Sequence, residues 1–329
     1  MMRVAVLGAG AMGTALATLF GRKGLEVRLW AREPEVSEAI GRDRENTRFL
    51  PGIALPATVS ATSDRSRTVD AADLIVAAIP CAFLRRSLDD FAATIAADVP
   101  VLSVVKGIEE GSFARPSRIV LDVLGARPVA VLSGPSHAEE FARGLPASVV
   151  VASSDRALAE RVRDALRSDT FRIYLNRDMT GVELAGALKN VLGIAAGICD
   201  GLGFGDNAKA ALLTRGLVEF ARFAADLGAE PATFWGLAGV GDMLTTCYSR
   251  FGRNRDVGEK IGRGATLEQA RAGRSDVAEG VFTVRSVHAM ATASGLDMPI
   301  TAEVHAILFD GKEPRLAVTD LMGRDPKHE

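Results

Sequence analysis

Residues Arg3 to Gly13 read RVAVLGAGAMG, and the fold follows from this stretch. Arg3-Val4-Ala5-Val6-Leu7 is short, apolar and rich in valine, the pattern of a buried parallel strand. Gly8-Ala9-Gly10-Ala11-Met12-Gly13 then matches G-x-G-x-x-G. Thr14 to Lys23 reads as a helix ended by Gly24, and Glu26-Val27-Arg28-Leu29-Trp30 reads as a second strand. The hexamer is weak evidence by itself. It gains meaning from the strand before it, the helix after it and a second strand within about thirty residues. Gly8 permits a tight turn, Gly10 a close backbone approach to a pyrophosphate, and Gly13 close packing of helix on strand. The helix N-terminus then offers N–H groups to an anion. The competing reading is a glycine-rich turn that holds nothing.

Further apolar runs continue the pattern. Asp73 to Ile79, closed by Pro80, reads as a strand, as do Val101 to Val105, Val129 to Ser133, Ala147 to Ala152 and Phe171 to Leu175. Asn46 to Pro56 reads as a loop around Pro51-Gly52. Helical stretches such as Arg156 to Arg167 alternate with several of these strands. Alternation of this kind implies an α/β fold: a Rossmann-type, doubly wound, mostly parallel sheet. After about residue 178 the strands stop. Gly181 to Ile198, Ala208 to Leu227, Asp256 to Ile261 and Val281 to Ser294 read as helical. The expected organisation is a dinucleotide-binding domain over residues 1–178 and an all-α C-terminal, substrate-binding domain over 179–329.

Composition narrows the function classes. The chain has 329 residues, 48% hydrophobic and 24% charged, which is globular and long enough for two domains. A formal net charge of -2 gives no basic surplus for nucleic acid or an anionic membrane. Cys81, Cys199 and Cys247 are odd in number and widely spaced, so reduced thiols in a cytoplasmic protein are expected. The histidines show no metal spacing, and no metal site is expected. Val4 to Gly21 carries no charge and could pass for a signal peptide, but three glycines interrupt it. No other stretch reads as long and apolar enough to span a bilayer.

Several residues are candidates for chemistry. Trp30-Ala31-Arg32-Glu33 ends the second strand, where an acid favours NAD and an arginine accommodates the 2′-phosphate of NADP. Arg32 is nearest the strand end, so NADP or dual use is favoured; a plain surface charge is the alternative. Lys106, and Gly134-Pro135-Ser136, end apolar strands at the edge where ligands of open α/β sheets bind, or are ordinary strand-to-loop turns. Lys189 lies in a helix of small and apolar residues. There a lysine either snorkels out or, if desolvated, exchanges protons with a substrate. Gly201 to Asn207, Gly239 to Asp242 and Phe251 to Arg255 are glycine-bearing loops before helices. The last joins arginine to a helix N-terminus, which is either a phosphate clamp or a solvated basic loop.

Together these segments resemble the NAD(P)-dependent glycerol-3-phosphate dehydrogenases of the bacterial type, nearly end to end. The likeness is carried by GAGAMGTALA (Gly8–Ala17), NTRFLPG (Asn46–Gly52), VVKGIE (Val104–Glu109), GPSHAEE (Gly134–Glu140) and ELAGALKN (Glu183–Asn190). It continues through GLGFGDNAKAALLTRGLVE (Gly201–Glu219), the most specific run, then GVGDMLTTC (Gly239–Cys247), GRNR (Gly252–Arg255) and VAEG (Val277–Gly280). The resemblance implies Lys189 as proton donor or acceptor, Lys106 at substrate and cofactor, and Asp242 orienting Lys189 and touching substrate. It implies substrate contacts from Gly134, Ser136, Asn190 and Thr246, and a phosphate grip from Gly252, Arg253 and Asn254. On the cofactor side it implies Gly8, Gly10, Ala11, Met12, Gly13, Arg32, Phe49, Ala138, Arg253, Val277 and Glu279.

The implied reaction is reversible reduction of dihydroxyacetone phosphate to sn-glycerol 3-phosphate with NAD(P)H, in the cleft between domains, supplying glycerol phosphate for phospholipid synthesis. The implied partner is a phosphorylated triose, without nucleic acid or membrane insertion; the resemblance leaves room for a homodimer. Three positions depart from the usual pattern. Ala11 and Met12 stand where many relatives have serine and an aromatic, which touches side-chain contacts but not backbone N–H groups. Gly252 stands where a serine is common, and His137 where a phenylalanine is common. Two other readings stand beside this one. A related β-hydroxyacid dehydrogenase would act on a carboxylate, against which the Gly252-Arg253-Asn254 clamp argues. A non-catalytic NAD(P)-binding regulator would have to lack the lysines or Asp242.

Overall fold

A computed structural model describes residues 2–249, 251–272 and 279–325. The chain forms two compact units, residues 1–106 with 114–183, and residues 107–113 with 184–329.

In the first unit ten strands are present: β1 (Arg3–Leu7), β2 (Glu26–Trp30), β3 (Glu45–Asn46), β4 (Leu50–Ala54), β5 (Val59–Thr62), β6 (Leu74–Ala77), β7 (Val101–Ser103), β8 (Val129–Ser133), β9 (Ala147–Ala152) and β10 (Phe171–Asn176). The connecting helices are α1 (Ala11–Arg22), α2 (Pro34–Asp43), α3 (Arg65–Val69), α4 (Cys81–Asp89), α5 (Pro116–Leu124), α6 (Ala138–Phe141) and α7 (Arg156–Leu166). Eight strands form one sheet in the order β10-β9-β8-β7-β6-β1-β2-β5. The run β5-β2-β1-β6-β7-β8 is parallel throughout and has the doubly wound dinucleotide-binding order. Only β9 runs against its neighbour β8, and β10 follows β9. The α/β, mostly parallel fold expected from the sequence is the one observed.

β1 and β6 are buried on both faces because the helices cover the sheet from both sides. One core cluster gathers Leu16, Phe20, Val27 and Leu29; a second gathers Leu7, Trp30, Ile75, Leu84 and Phe91. Two expectations need correction. Asn46 to Pro56 is not a plain loop, since β3 and β4 pair antiparallel across it. β5 was not foreseen, because Val59-Ser60-Ala61-Thr62 carries one large apolar residue and sits at the sheet edge.

The second unit is helical: α8 (Met179–Gly201, whose first residues belong to the first unit), α9 (Asp206–Asp226), α10 (Asp242–Tyr248), α11 (Arg253–Gly262), α12 (Leu267–Arg271), α13 (Glu279–Ser294), α14 (Pro299–Phe309) and α15 (Pro314–Met322). By length and composition α8 could cross a membrane, with a mean hydropathy of 1.5 over its most apolar window. This corrects the expectation that no such stretch follows the N-terminal run. The window is 94% buried inside the fold, so its apolarity is that of a core helix enclosed on all sides.

Glycines let α11 lie directly on α8. A Cβ added to Gly197 would stand 2.0 Å from Arg255 O, one on Gly258 2.0 Å from Ile194 O, and one on Gly262 2.4 Å from Ile198 O. Only hydrogen fits at these positions, and the two backbones touch where ordinary helices would be held 8–10 Å apart at their axes. Glu219 fixes a second junction. It is buried and accepts from Ile300 N (2.9 Å), Thr301 N (3.0 Å) and Thr301 Oγ1 (2.8 Å), satisfying the first turn of α14.

Candidate active site

The first cluster sits at the carboxyl ends of the parallel strands. Gly8 follows β1 with φ +115, and a Cβ there would meet Ala78 O at 2.7 Å, after β6. A Cβ on Gly13 would stand 1.9 Å from Gly8 O, so α1 packs against its own turn. Around Gly10 the situation is reversed, with nothing within 4 Å of an added Cβ. Gly10 is also the N-cap of α1 and offers no side-chain cap. The turn therefore leaves room at the end of α1, and the first N–H groups of a helix have no partner within it. These residues fit the pyrophosphate of a dinucleotide, to which Ala11 and Met12 would offer backbone N–H groups whatever their side chains.

A buried asparagine braces this turn. Asn46 Nδ2 donates to Ala9 O and to Thr14 Oγ1, both at 2.8 Å, while its Oδ1 accepts from Phe49 N at 3.2 Å. Within NTRFLPG nothing marks Asn46 as this brace, because its partners Ala9 and Thr14 lie more than thirty residues earlier. The brace holds Phe49 half-buried near the turn, with the Arg48 guanidinium 5.0 Å over its ring. Arg32 is exposed beyond β2 and pairs with Glu33 through Nε, 3.0 Å from Glu33 Oε1, and through NH2. That hydrogen bond holds the Glu33 carboxyl below the usual carboxylate range.

Lys106 follows β7, and Gly134 and Ser136 follow β8, so the parallel register places all three at the sheet edge that carries Gly8. Lys106 Nζ donates to Gly134 O at 3.1 Å and to Ser136 Oγ at 3.4 Å, and Ser136 Oγ donates to Gly134 O at 2.8 Å. Gly134 has φ +121, and a Cβ there would stand 3.1 Å from the α-carbon of Val149. Ala138 is buried at the start of α6. These residues make a cationic corner lined by one carbonyl and one hydroxyl.

The second cluster lies in the helical unit. Lys189 projects from α8 with its side chain 11% exposed, and Nζ stands 2.5 Å from both Asp242 Oδ1 and Thr246 Oγ1. Asp242 and Thr246 are one turn apart on α10, so both reach the same ammonium. Asp242 is 1% exposed. A charge at this depth needs a partner, and here the pair supplies it. Cys247 beside them is buried, which pushes its thiol up to about 12 and leaves it inert as a nucleophile.

Next to Lys189, Asn190 Oδ1 accepts from Asn254 Nδ2 at 3.0 Å, and Asn254 Oδ1 accepts from Gly280 N at 3.0 Å. The Asn254 side chain thus ties α8, α11 and α13 together. Gly252 caps α11 without a side chain. An added Cβ there would lie 2.5 Å from Thr246 O, so a serine would require a local shift in this chain. Arg253 is exposed in the first turn of α11, and Glu279 opens α13 half-buried. Val277 lies outside the described residues.

The first cluster thus gathers Gly8, Gly10, Ala11, Met12 and Gly13 at one turn, with Lys106, Gly134 and Ser136 at the same sheet edge. The second gathers Lys189, Asn190, Asp242, Thr246, Gly252, Arg253 and Asn254.

Comparison with known proteins bears on both clusters. Residues 3–159 match the family model described as NAD-dependent glycerol-3-phosphate dehydrogenase N-terminus, and residues 178–319 match the C-terminus of the same family. The chain is 46% identical to a protein of Chlorobium phaeobacteroides (strain BS1) over all of its own length and 99% of the relative's. A Nocardia farcinica protein is also 46% identical, over the whole of both chains. Both relatives are named glycerol-3-phosphate dehydrogenase, NAD(P)+. The crystal structure of glycerol-3-phosphate dehydrogenase from Coxiella burnetii superposes with a TM-score of 0.95 at 37% identity, over 98% of this chain and 99% of that one.

Proposed function

The chain belongs to the NAD-dependent glycerol-3-phosphate dehydrogenase family, and on that premise we propose that it reversibly reduces dihydroxyacetone phosphate to sn-glycerol 3-phosphate, with Lys189 exchanging the proton. The observation that carries this reading is the Lys189 ammonium, the one cation of the largely apolar helix α8, held at 2.5 Å by both Asp242 and Thr246. Family membership does not favour the β-hydroxyacid dehydrogenase or the non-catalytic regulator.

The α1 N-terminus with Gly8, Gly10 and Gly13 would hold the dinucleotide pyrophosphate, and Arg32 and Phe49 would lie toward its adenosine end. The bound nicotinamide supplies the hydride for the carbonyl carbon. Negative charge then grows on the carbonyl oxygen. Lys189 as an ammonium stabilises that charge and delivers a proton to it; in the reverse direction the amine takes the proton. Asp242 would hold the Lys189 ammonium and fix its direction. Lys106, with Gly134 and Ser136, would bind the substrate.

Arg253 and the backbone N–H groups opening α11 would grip the phosphate, combining a guanidinium fork with a helix terminus. The Asn254 side chain already accepts from Gly280 and donates to Asn190, so its amide braces the clamp. Binding the phosphate spends remote affinity on holding the reacting carbon in place. The test is nicotinamide absorbance with dihydroxyacetone phosphate, using NADH and NADPH separately. Consumption with at least one supports the reading, and consumption with neither overturns it.

A further inference from the structure

We propose that Asp200, Lys209 and Arg255 form a positioning triad that locks the phosphate-gripping end of α11 onto the helix carrying Lys189. None of the three touches the substrate in this reading; they act through Arg253 and the first turn of α11. The proposal therefore rests on the reading that this turn holds the substrate phosphate.

Three helices meet at one carboxylate. Asp200 is the penultimate residue of α8. Both of its oxygens lie 2.9 Å from Lys209 Nζ, on the first turns of α9. Asp200 Oδ2 also lies 3.2 Å from Arg255 Nε. Arg255 stands two residues after Arg253, and its NH1 donates to Glu259 at 2.8 Å on the same helix. Lys209 is 6% exposed and lies 4.5 Å from the centroid of the Tyr248 ring, at the end of α10. Asp200, Lys209 and Arg255 thus link α8, α9 and α11 by charge, and Tyr248 adds α10 by cation–π contact.

The cluster sits where the backbones already touch. Arg255 O is the atom that faces Gly197 on α8, and Glu259 O faces Gly201. Glycine contact sets how close α11 comes but does not stop one helix from sliding or turning on the other, because dispersion is not directional. The two hydrogen bonds that Lys209 donates to Asp200 are charge-assisted and directional, and the Arg255 guanidinium pairs by charge with the same half-buried carboxylate. A buried lysine needs such a partner, and removing Asp200 leaves the Lys209 charge uncompensated. The triad therefore supplies the rotational and axial register that the glycine seam lacks. Arg253 and the N–H groups of α11 take their place relative to Lys189 from that register.

The test uses the full-length enzyme and compares dihydroxyacetone phosphate with unphosphorylated dihydroxyacetone. The readout is the ratio of the two kcat/KM values, which reports the use made of the phosphate. Asp200→Asn and Lys209→Met are expected to lower this ratio about tenfold, with dihydroxyacetone turnover close to wild type. Lys209→Arg, which keeps the charge, should restore most of it. Arg253→Ala should lower the ratio at least as far. A role in general support of the fold would depress both substrates together and leave the ratio unchanged; that result overturns the triad. If Arg253→Ala lowers the ratio and the Asp200 and Lys209 variants do not, the triad fails alone. An unchanged ratio in Arg253→Ala overturns the phosphate reading and the triad with it. Should Asp200→Asn not fold, the Lys209→Met and Lys209→Arg pair decides the matter.

Discussion

Replacing Gly197 by alanine puts a methyl group where the structure leaves no room for one. The added Cβ would lie 2.0 Å from Arg255 O and 2.7 Å from Glu259 N. A relaxed carbon–oxygen contact is about 3.3 Å, so the backbones of α8 and α11 must part by about 1.3 Å. Both atoms are backbone, so neither can swing away as the end of a flexible side chain would. Overpacking of this kind costs about 3 kcal/mol, against which alanine recovers about 1 kcal/mol of helix propensity. The net loss of about 2 kcal/mol corresponds to about 4–8 °C in Tm for a unit of this size. Displacement of α11 also carries Arg253 away from its place relative to Lys189, and a shift of about 1 Å can cost about 100-fold in rate. Thermal unfolding and NAD(P)H oxidation with dihydroxyacetone phosphate measure the two effects. Gly41→Ala is the control: Gly41 lies in α2 with nothing within 4 Å of an added Cβ. There alanine should stabilise by about 0.5–1 kcal/mol and leave activity unchanged. If Gly197→Ala proves as stable and as active as Gly41→Ala, the reasoning about direct backbone contact between α8 and α11 is wrong.

Three further outcomes are expected. Glu33→Gln releases the Arg32 guanidinium from its carboxylate partner, so kcat/KM for NADPH should rise about fivefold relative to NADH, an effect suited to an exposed pair; an unchanged ratio would show that Arg32 does not meet the 2′-phosphate. Cys247 should resist iodoacetamide at pH 8 in the folded protein and react after denaturation, since burial lifts its thiol to about 12. The same shift makes stability fall as pH rises above about 9, because the unfolded thiol then ionises while the buried one stays protonated until about pH 12. Rapid alkylation of the native protein would contradict both statements.

The parallel strands were legible because burial on both faces leaves near-continuous apolar runs, as in Leu74-Ile75-Val76-Ala77. The sheet edge was not, since β5 is half polar, and the small β3–β4 pair was not, since β4 itself contains Pro51-Gly52. Lys189 stood out as the lone cation of an apolar helix. Its partners did not, because Asp242 and Thr246 are 53 and 57 residues away and only the folded chain, or resemblance, brings them to it. Sequence also shows glycines at 193, 197 and 201 without saying what they face; the seam needs Gly258 and Gly262 on a helix some sixty residues later. Asp200, Lys209 and Arg255 were missed for the same reason. Each looks like an ordinary surface charge until three helices bring them to one carboxylate.

The most direct test of Lys189 as the proton-exchanging group is kcat of Lys189→Met with saturating dihydroxyacetone phosphate and NAD(P)H, in protein shown to be folded by circular dichroism. A fall of about 10³-fold is expected, within the range for loss of a positioned acid or base. Turnover within a few-fold of wild type would contradict the proposed chemistry at its centre.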